Sequence, residues 1–123
     1  MMRQSAINTI NYFDLNKNST ALLALPVKYI AGKMMLVRAL IANLNLVIQS
    51  PSANPMYHLS QDLDFVALTP HQLYNGIQSG NTKQIQIKHI LLGGAPVSKA
   101  LFELISKSSI ASFVGVFLLI INN

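Results

Sequence analysis

The chain has 123 residues, of which 51% are hydrophobic and only 11% charged, where an ordinary globular domain carries roughly 25% charged residues. Its nine Lys and Arg against four Asp and Glu give a net charge of +5, but the cations are scattered and aromatic residues are sparse, so no basic stripe points to nucleic acid. The absence of cysteine excludes disulfides, a cysteine-built zinc site and thiol catalysis.

The opening MMRQSAINTINYFDLNKNST lacks the basic-then-apolar layout of a secretory signal. Ser5 to Tyr12 reads as a helix and DLNKNST as a polar turn. Ala21 to Leu25 is a short apolar run closed by Pro26, as expected of a buried strand leaving its sheet. Gly32 to Ala42, rich in Met, Leu, Lys and Arg with apolar residues on most faces, predicts a largely buried helix. Asn43 ends it, and LNLVIQ predicts a second strand that stops at the turn cluster SPSANP.

A helical turn is expected within Met56 to Leu63. FVAL, Phe65 to Leu68, is a third strand, followed by Thr69 as N-cap and Pro70 at the first helical position, where its missing N–H costs nothing. The helix PHQLYNGIQ and the loop SGNTKQ come next. Ile87 to Leu92 predicts a fourth strand, Ser98 to Ser106 a helix, and Ala111 to Ile121 a fifth strand. The run IASFVGVFLLII is well short of the ~20 residues a membrane-crossing helix needs. It reads as a buried strand, and no membrane partner is expected.

Strands alternate with helices and are continuous apolar runs. This predicts an α/β fold: a partial doubly wound, mostly parallel sheet with helices on both faces. Residues 1–123 form one partial domain, with 113–123 an atypical apolar tail. So little charge implies that part of the surface is normally covered by more protein, and exposed apolar surface would favour self-association.

In open parallel sheets ligands sit beyond the carboxyl ends of the strands, which makes PVKYIAG, TPHQ and GGAPVS the candidate loops. In GGAP, Gly93 and Gly94 let a ligand approach the backbone, Ala95 keeps the loop small, Pro96 stiffens its exit and Ser98 caps the next helix; a plain strand-to-helix turn is the competing reading. Tyr29 offers an aromatic wall and a hydroxyl, with Ala31 and Gly32 leaving space beside it. Lys33 and Arg38 are cations on an apolar helix. Either can snorkel to the surface along its stem; Lys33 otherwise meets a ligand, and for Arg38, between Val37 and Ala39, pairing with a carboxylate from the protein or from a ligand is the favoured reading. His71 opens a helix at the sheet rim, facing a ligand or serving as a plain first-turn residue; His58 and His89 have no such placement. No metal-ligand spacing, no carboxylate pair and no activated serine is present, so no catalytic or metal-binding residue is assigned.

Taken in order, LLALPVKYIAGKMMLVRALIANLNLVIQSPSANP, FVALTPHQL and IKHILLGGAPVSKAL resemble the middle of the large N-terminal domain of AMP-forming acyl-CoA synthetases, over about residues 5 to 112. The sequence looks most like the o-succinylbenzoate-CoA ligases of menaquinone biosynthesis. The resemblance implies a cytoplasmic enzyme that activates a carboxylate with ATP and Mg2+ to an acyl-adenylate and passes the acyl group to coenzyme A. It implies that LPVKYIAG is the aromatic loop by the acyl pocket, with Tyr29 where the family often has His. Gly93, Gly94, Ala95 and Pro96 would then line the adenine and acyl site.

The family's phosphate loop, its Tyr-Gly-Met-Thr-Glu motif and its C-terminal domain have no counterpart in these residues, and FVGVFLLIINN stands where the Thr-Glu strand is expected. An internal fragment with an out-of-frame tail, inactive alone, is therefore expected. A small non-catalytic α/β module binding a nucleotide or a partner protein is the alternative; a membrane-associated protein using Phe113 to Ile121 is a third.

Overall fold

The computed structural model describes residues 2–80, 85–93 and 96–107, together with the backbone of 115–118. Helix α1 (Met2–Phe13) leads into β1 (Thr20–Leu23), α2 (Ile30–Ala42) and β2 (Asn45–Ile48). A 3-10 turn (Pro55–His58) precedes β3 (Leu63–Leu68), α3 (Pro70–Gln78), β4 (Ile87–Leu92), α4 (Lys99–Lys107) and β5 (Gly115–Leu118). The expected alternation of strands and helices is therefore present.

All strand pairings are parallel, in the order β2-β1-β3-β4-β5. The chain leaves β1 toward one edge to make β2, then returns past it and builds β3, β4 and β5 toward the other. Right-handed crossovers running in opposite directions must lie on opposite faces. Accordingly α2, with α1 packed against it, covers one face, and α3 and α4 cover the other. The return from β2 to β3 crosses over β1 on the α3 face, where the 3-10 turn buries Pro55 and Met56.

Successive residues of each central strand serve the two layers. Ala21 and Leu23 of β1, Phe65 and Ala67 of β3 and Leu91 of β4 pack under Phe13, Leu15 and Met35. Leu22, Val66, Leu68, Ile90 and Leu92 pack under Leu73, Leu101 and Met56. Burial on both faces is why these strands read as unbroken apolar runs; each fully buried side chain contributes about 2 kcal/mol.

Element ends follow local chemistry. Asn43 closes α2 in the left-handed conformation, φ 56°, which its short polar side chain tolerates. Thr69 caps α3 with a complete capping box: its side chain accepts from the Gln72 N–H, while the Gln72 side chain accepts from the Thr69 N–H. Ser98 caps α4 by accepting from the Leu101 N–H at 3.1 Å. Asp64 and Asp62 accept from the N–H groups of Thr20 and Gln86, so these two acids anchor chain entering the sheet at its amino edge.

Two expectations change. Helix α2 buries Gly32, Met34, Met35 and Arg38 but leaves Leu40 82% and Ile30 60% exposed, because neighbours cover only its sheet-facing side. Of the expected fifth strand, the pairing with β4 is seen for Gly115–Leu118; the remainder of the 113–123 tail, apart from these four residues, lies outside the described residues.

Candidate site at the carboxyl edge of the sheet

The connection reverses direction at β1 and β3, so the loops leaving their carboxyl ends diverge to opposite faces. Such a divergence leaves a crevice in open parallel sheets. Tyr29, Gly32 and Lys33 stand on the α2 side of this edge and His71 on the α3 side. Gly93 and Pro96 follow β4, one strand beyond β3.

Tyr29 occupies the N-cap position of α2 in an extended conformation and makes no side-chain cap bond, since a phenol cannot fold back onto the first turn. Its ring is 59% exposed with the Lys28 Nζ 5.2 Å from its centroid. Lys33 is exposed. The space left by Gly32 is not open: a Cβ there would collide with the Pro26 carbonyl oxygen and lie 2.9 Å from the Val27 Cα. Glycine at this position lets the first turn of α2 sit against its own preceding loop, so the room expected beside Tyr29 is filled by the chain.

Arg38 lies about 13 Å further along the α2 axis at 1.5 Å per residue, in the layer between α2 and the sheet. It is 3% exposed. Its guanidinium carbon is 5.6 Å from the centroid of the Phe65 ring, and its Nε has no hydrogen-bond partner among the described residues. Burial lowers its pKa to about 10. A cation in such a place, resting on an aromatic face with no carboxylate beside it among the described residues, is a binding capacity left unused.

His71 is exposed and its Nε2 lies 3.2 Å from the Asn75 Nδ2. His89, on β4, packs against the Phe13 ring at 4.9 Å. Burial, then Lys88, lowers its pKa against an opposing pull from Asp64, in keeping with a structural role. The Gly93 N–H donates to the Leu68 carbonyl at 3.1 Å, extending the β3–β4 ladder, so this amide is taken by the sheet. Pro96 is exposed; Gly94 and Ala95 lie outside the described residues.

Gln72 was not legible as a site residue. It is 6% exposed, and its Nε2 donates to the carbonyls of Ala24 at 3.3 Å and Ser52 at 2.9 Å. The Thr-Pro-His-Gln spacing of a capping box is the signal that could have singled it out. Among the described residues no group of three or more His, Cys, Asp or Glu could hold a metal ion. No helix of those residues is long and apolar enough to cross a membrane.

The fold was compared with solved structures. A TM-score of 0.85 relates it to an acyl-CoA synthetase (AMP-forming)/AMP-acid ligase II-like protein from Dyadobacter fermentans, with 35% identity over 98% of this chain and 34% of that one. The fold is that of the AMP-forming acyl-CoA synthetases. Escherichia coli MenE with bound OSB-AMS follows at 0.74, with 20% identity over 95% of this chain and 25% of its own. Bacillus subtilis O-succinylbenzoate Coenzyme A Synthetase, in complex with ATP and magnesium ion, has a TM-score of 0.71, with 21% identity over 87% of this chain and 23% of its own. The chain thus spans about a third of the length of the Dyadobacter synthetase. No family model matches it, and no curated protein does. The two-sided parallel sheet agrees with the fold that the resemblance in the sequence implied.

Proposed function

We propose that the chain is the acyl-holding part of an AMP-forming acid-CoA ligase, of the o-succinylbenzoate-CoA ligase type of menaquinone biosynthesis, acting in the cytoplasm. The observation that carries this reading is Arg38: a cation 3% exposed, lying on the Phe65 ring, without a partner for its Nε among the described residues. An acid with a single carboxylate would spend that group at the reacting end. o-Succinylbenzoate has two, so one can be activated at the sheet edge while the other reaches a guanidinium lying deeper along α2. A carboxylate that pairs with a desolvated guanidinium relieves the cost of burying it, and bidentate geometry adds direction.

In the same reading Tyr29 and Lys33 border the mouth on the α2 side and His71 on the α3 side. Gly32 contributes by seating the Tyr29 loop, and Gly93, Gly94, Ala95 and Pro96 form the adenine edge. ATP, magnesium and coenzyme A belong to the longer enzyme. Without a phosphate loop or a Thr-Glu pair in its sequence this chain should not adenylate alone, because nothing in it would stabilise charge developing on the phosphates.

Calorimetric titration with an o-succinylbenzoyl sulfamoyl adenosine analogue tests the reading. The expected result is binding weakened at least tenfold by Arg38→Met; equal affinity of the two proteins would refute it.

A second reading has its own support. Leu40, Ile48 and Tyr57 are 82, 69 and 65% exposed, and β2, an edge strand, carries no charge in Asn45–Ile48 to deter pairing. The isolated chain would self-associate through exposed apolar side chains such as these and through the β2 edge.

A further inference from the structure

We propose that Gln72 is a positioning residue, which holds the loops leaving β1, β2 and β3 in one arrangement and so sets the shape of the site mouth; its bearing on ligand rests on the acid-CoA ligase reading above. An amide offers two N–H donors and one acceptor oxygen. In Gln72 both kinds of group are engaged: the Nε2 reaches Ala24, just past β1, and Ser52, past β2, while the Oε1 takes the N–H of Thr69, just past β3. Three loops that the topology sends in different directions are thus tied by one buried side chain.

Asn75, one helical turn further on, donates to the carbonyl of Ala53 at 2.9 Å, and the Ser79 hydroxyl accepts from the Asn54 side chain at 3.1 Å. Positions 72, 75 and 79 share one face of a helix. Residues 52–54 are therefore held along the polar side of α3, with Gln72 the only one of the three that also reaches β1. A buried carbonyl such as that of Ala24 must find a donor, and no other side chain among the described residues is bonded to it.

The test compares wild type with Gln72→Met and Gln72→Glu by backbone hydrogen exchange. Methionine keeps the volume and removes every bond. Exchange in both segments 25–29 and 50–54 should accelerate at least tenfold, while Phe65 to Leu68 follow global stability alone. In Gln72→Glu the protonated acid has one O–H to donate and the carboxylate none, so loop protection, compared with wild type at the same pH, should be high at low pH and fall as the carboxyl ionises. Loops that exchange as in wild type in the variant that folds, or Gln72→Glu whose protection relative to wild type is the same at every pH, would overturn the proposal. Should neither variant fold, the wild-type chain decides: the two segments must open in one step, with equal protection, and unequal protection refutes the tie. In proteins that bind the acyl sulfamoyl adenosine probe, Gln72→Met should also weaken it at least fivefold. A wild type that binds no probe but shows the coupled exchange would overturn the ligase reading and leave the positioning role standing.

Discussion

The guanidinium of Arg38 lies against the ring of Phe65, 5.6 Å from its centroid, in the layer between α2 and the sheet. That contact recovers only part of what burial costs: cation-π attraction supplies about 2 kcal/mol when desolvated. The drop in the Arg38 pKa from the ordinary arginine value to about 10 corresponds to on the order of 3 kcal/mol.

Arg38→Met should therefore stabilise the ligand-free chain by about 1 to 3 kcal/mol, measured by urea unfolding at neutral pH. The pH dependence has a definite sign. Below pH 10 the folded and unfolded chains are both protonated and the whole penalty is present. As pH rises above about 10 toward the ordinary arginine value, the unfolded chain holds the proton that the folded one releases, so wild-type stability rises relative to the variant and the gap narrows.

Gly32→Ala should lower stability by about 1 to 3 kcal/mol, because its Cβ would meet the backbone of Pro26 and Val27 rather than a flexible side chain. The unfolding midpoint in urea checks this. If Gly32 instead left an open hollow, alanine would be tolerated or would stabilise through its helix propensity.

Thr69→Ala removes the acceptor for the Gln72 N–H and should cost about 1 kcal/mol, while Thr69→Ser should be close to neutral. Thermal unfolding of the pair separates loss of the cap from loss of the methyl group.

How much of this was readable in the sequence depends on how local the cause is. α3 was placed from Thr69 and Pro70, and the end of α2 from Asn43, because caps are short-range chemistry. Arg38 stood out as a cation between Val37 and Ala39. The strand order was not legible, since unbroken apolar runs fix parallel, doubly covered strands without saying which lie side by side. Gly32 was read as room for a ligand because a missing Cβ looks the same whether ligand or backbone fills the space. Gln72 went unnoticed because its bonds to Ala24 and Ser52 span 48 and 20 residues, and no local pattern reports them. The expected burial of α2 failed at Leu40 because periodicity shows that a face is apolar, not that a partner covers it.

Leu40→Lys, at a side chain 82% exposed, should leave stability within about 0.5 kcal/mol and reduce self-association of the isolated chain. Sedimentation velocity across a concentration series reads both monomer fraction and shape, and an unchanged distribution would place the sticky surface elsewhere.

Arg38 is proposed to await a ligand carboxylate. The most direct measurement follows the Arg38 Nε–Hε resonance of a 15N-labelled chain, assigned by its disappearance in Arg38→Met, during titration with o-succinylbenzoate and, separately, benzoate. The account predicts a saturable downfield shift with the dicarboxylate and none with the monocarboxylate. A resonance left unmoved by o-succinylbenzoate, or moved equally by both acids, would contradict it.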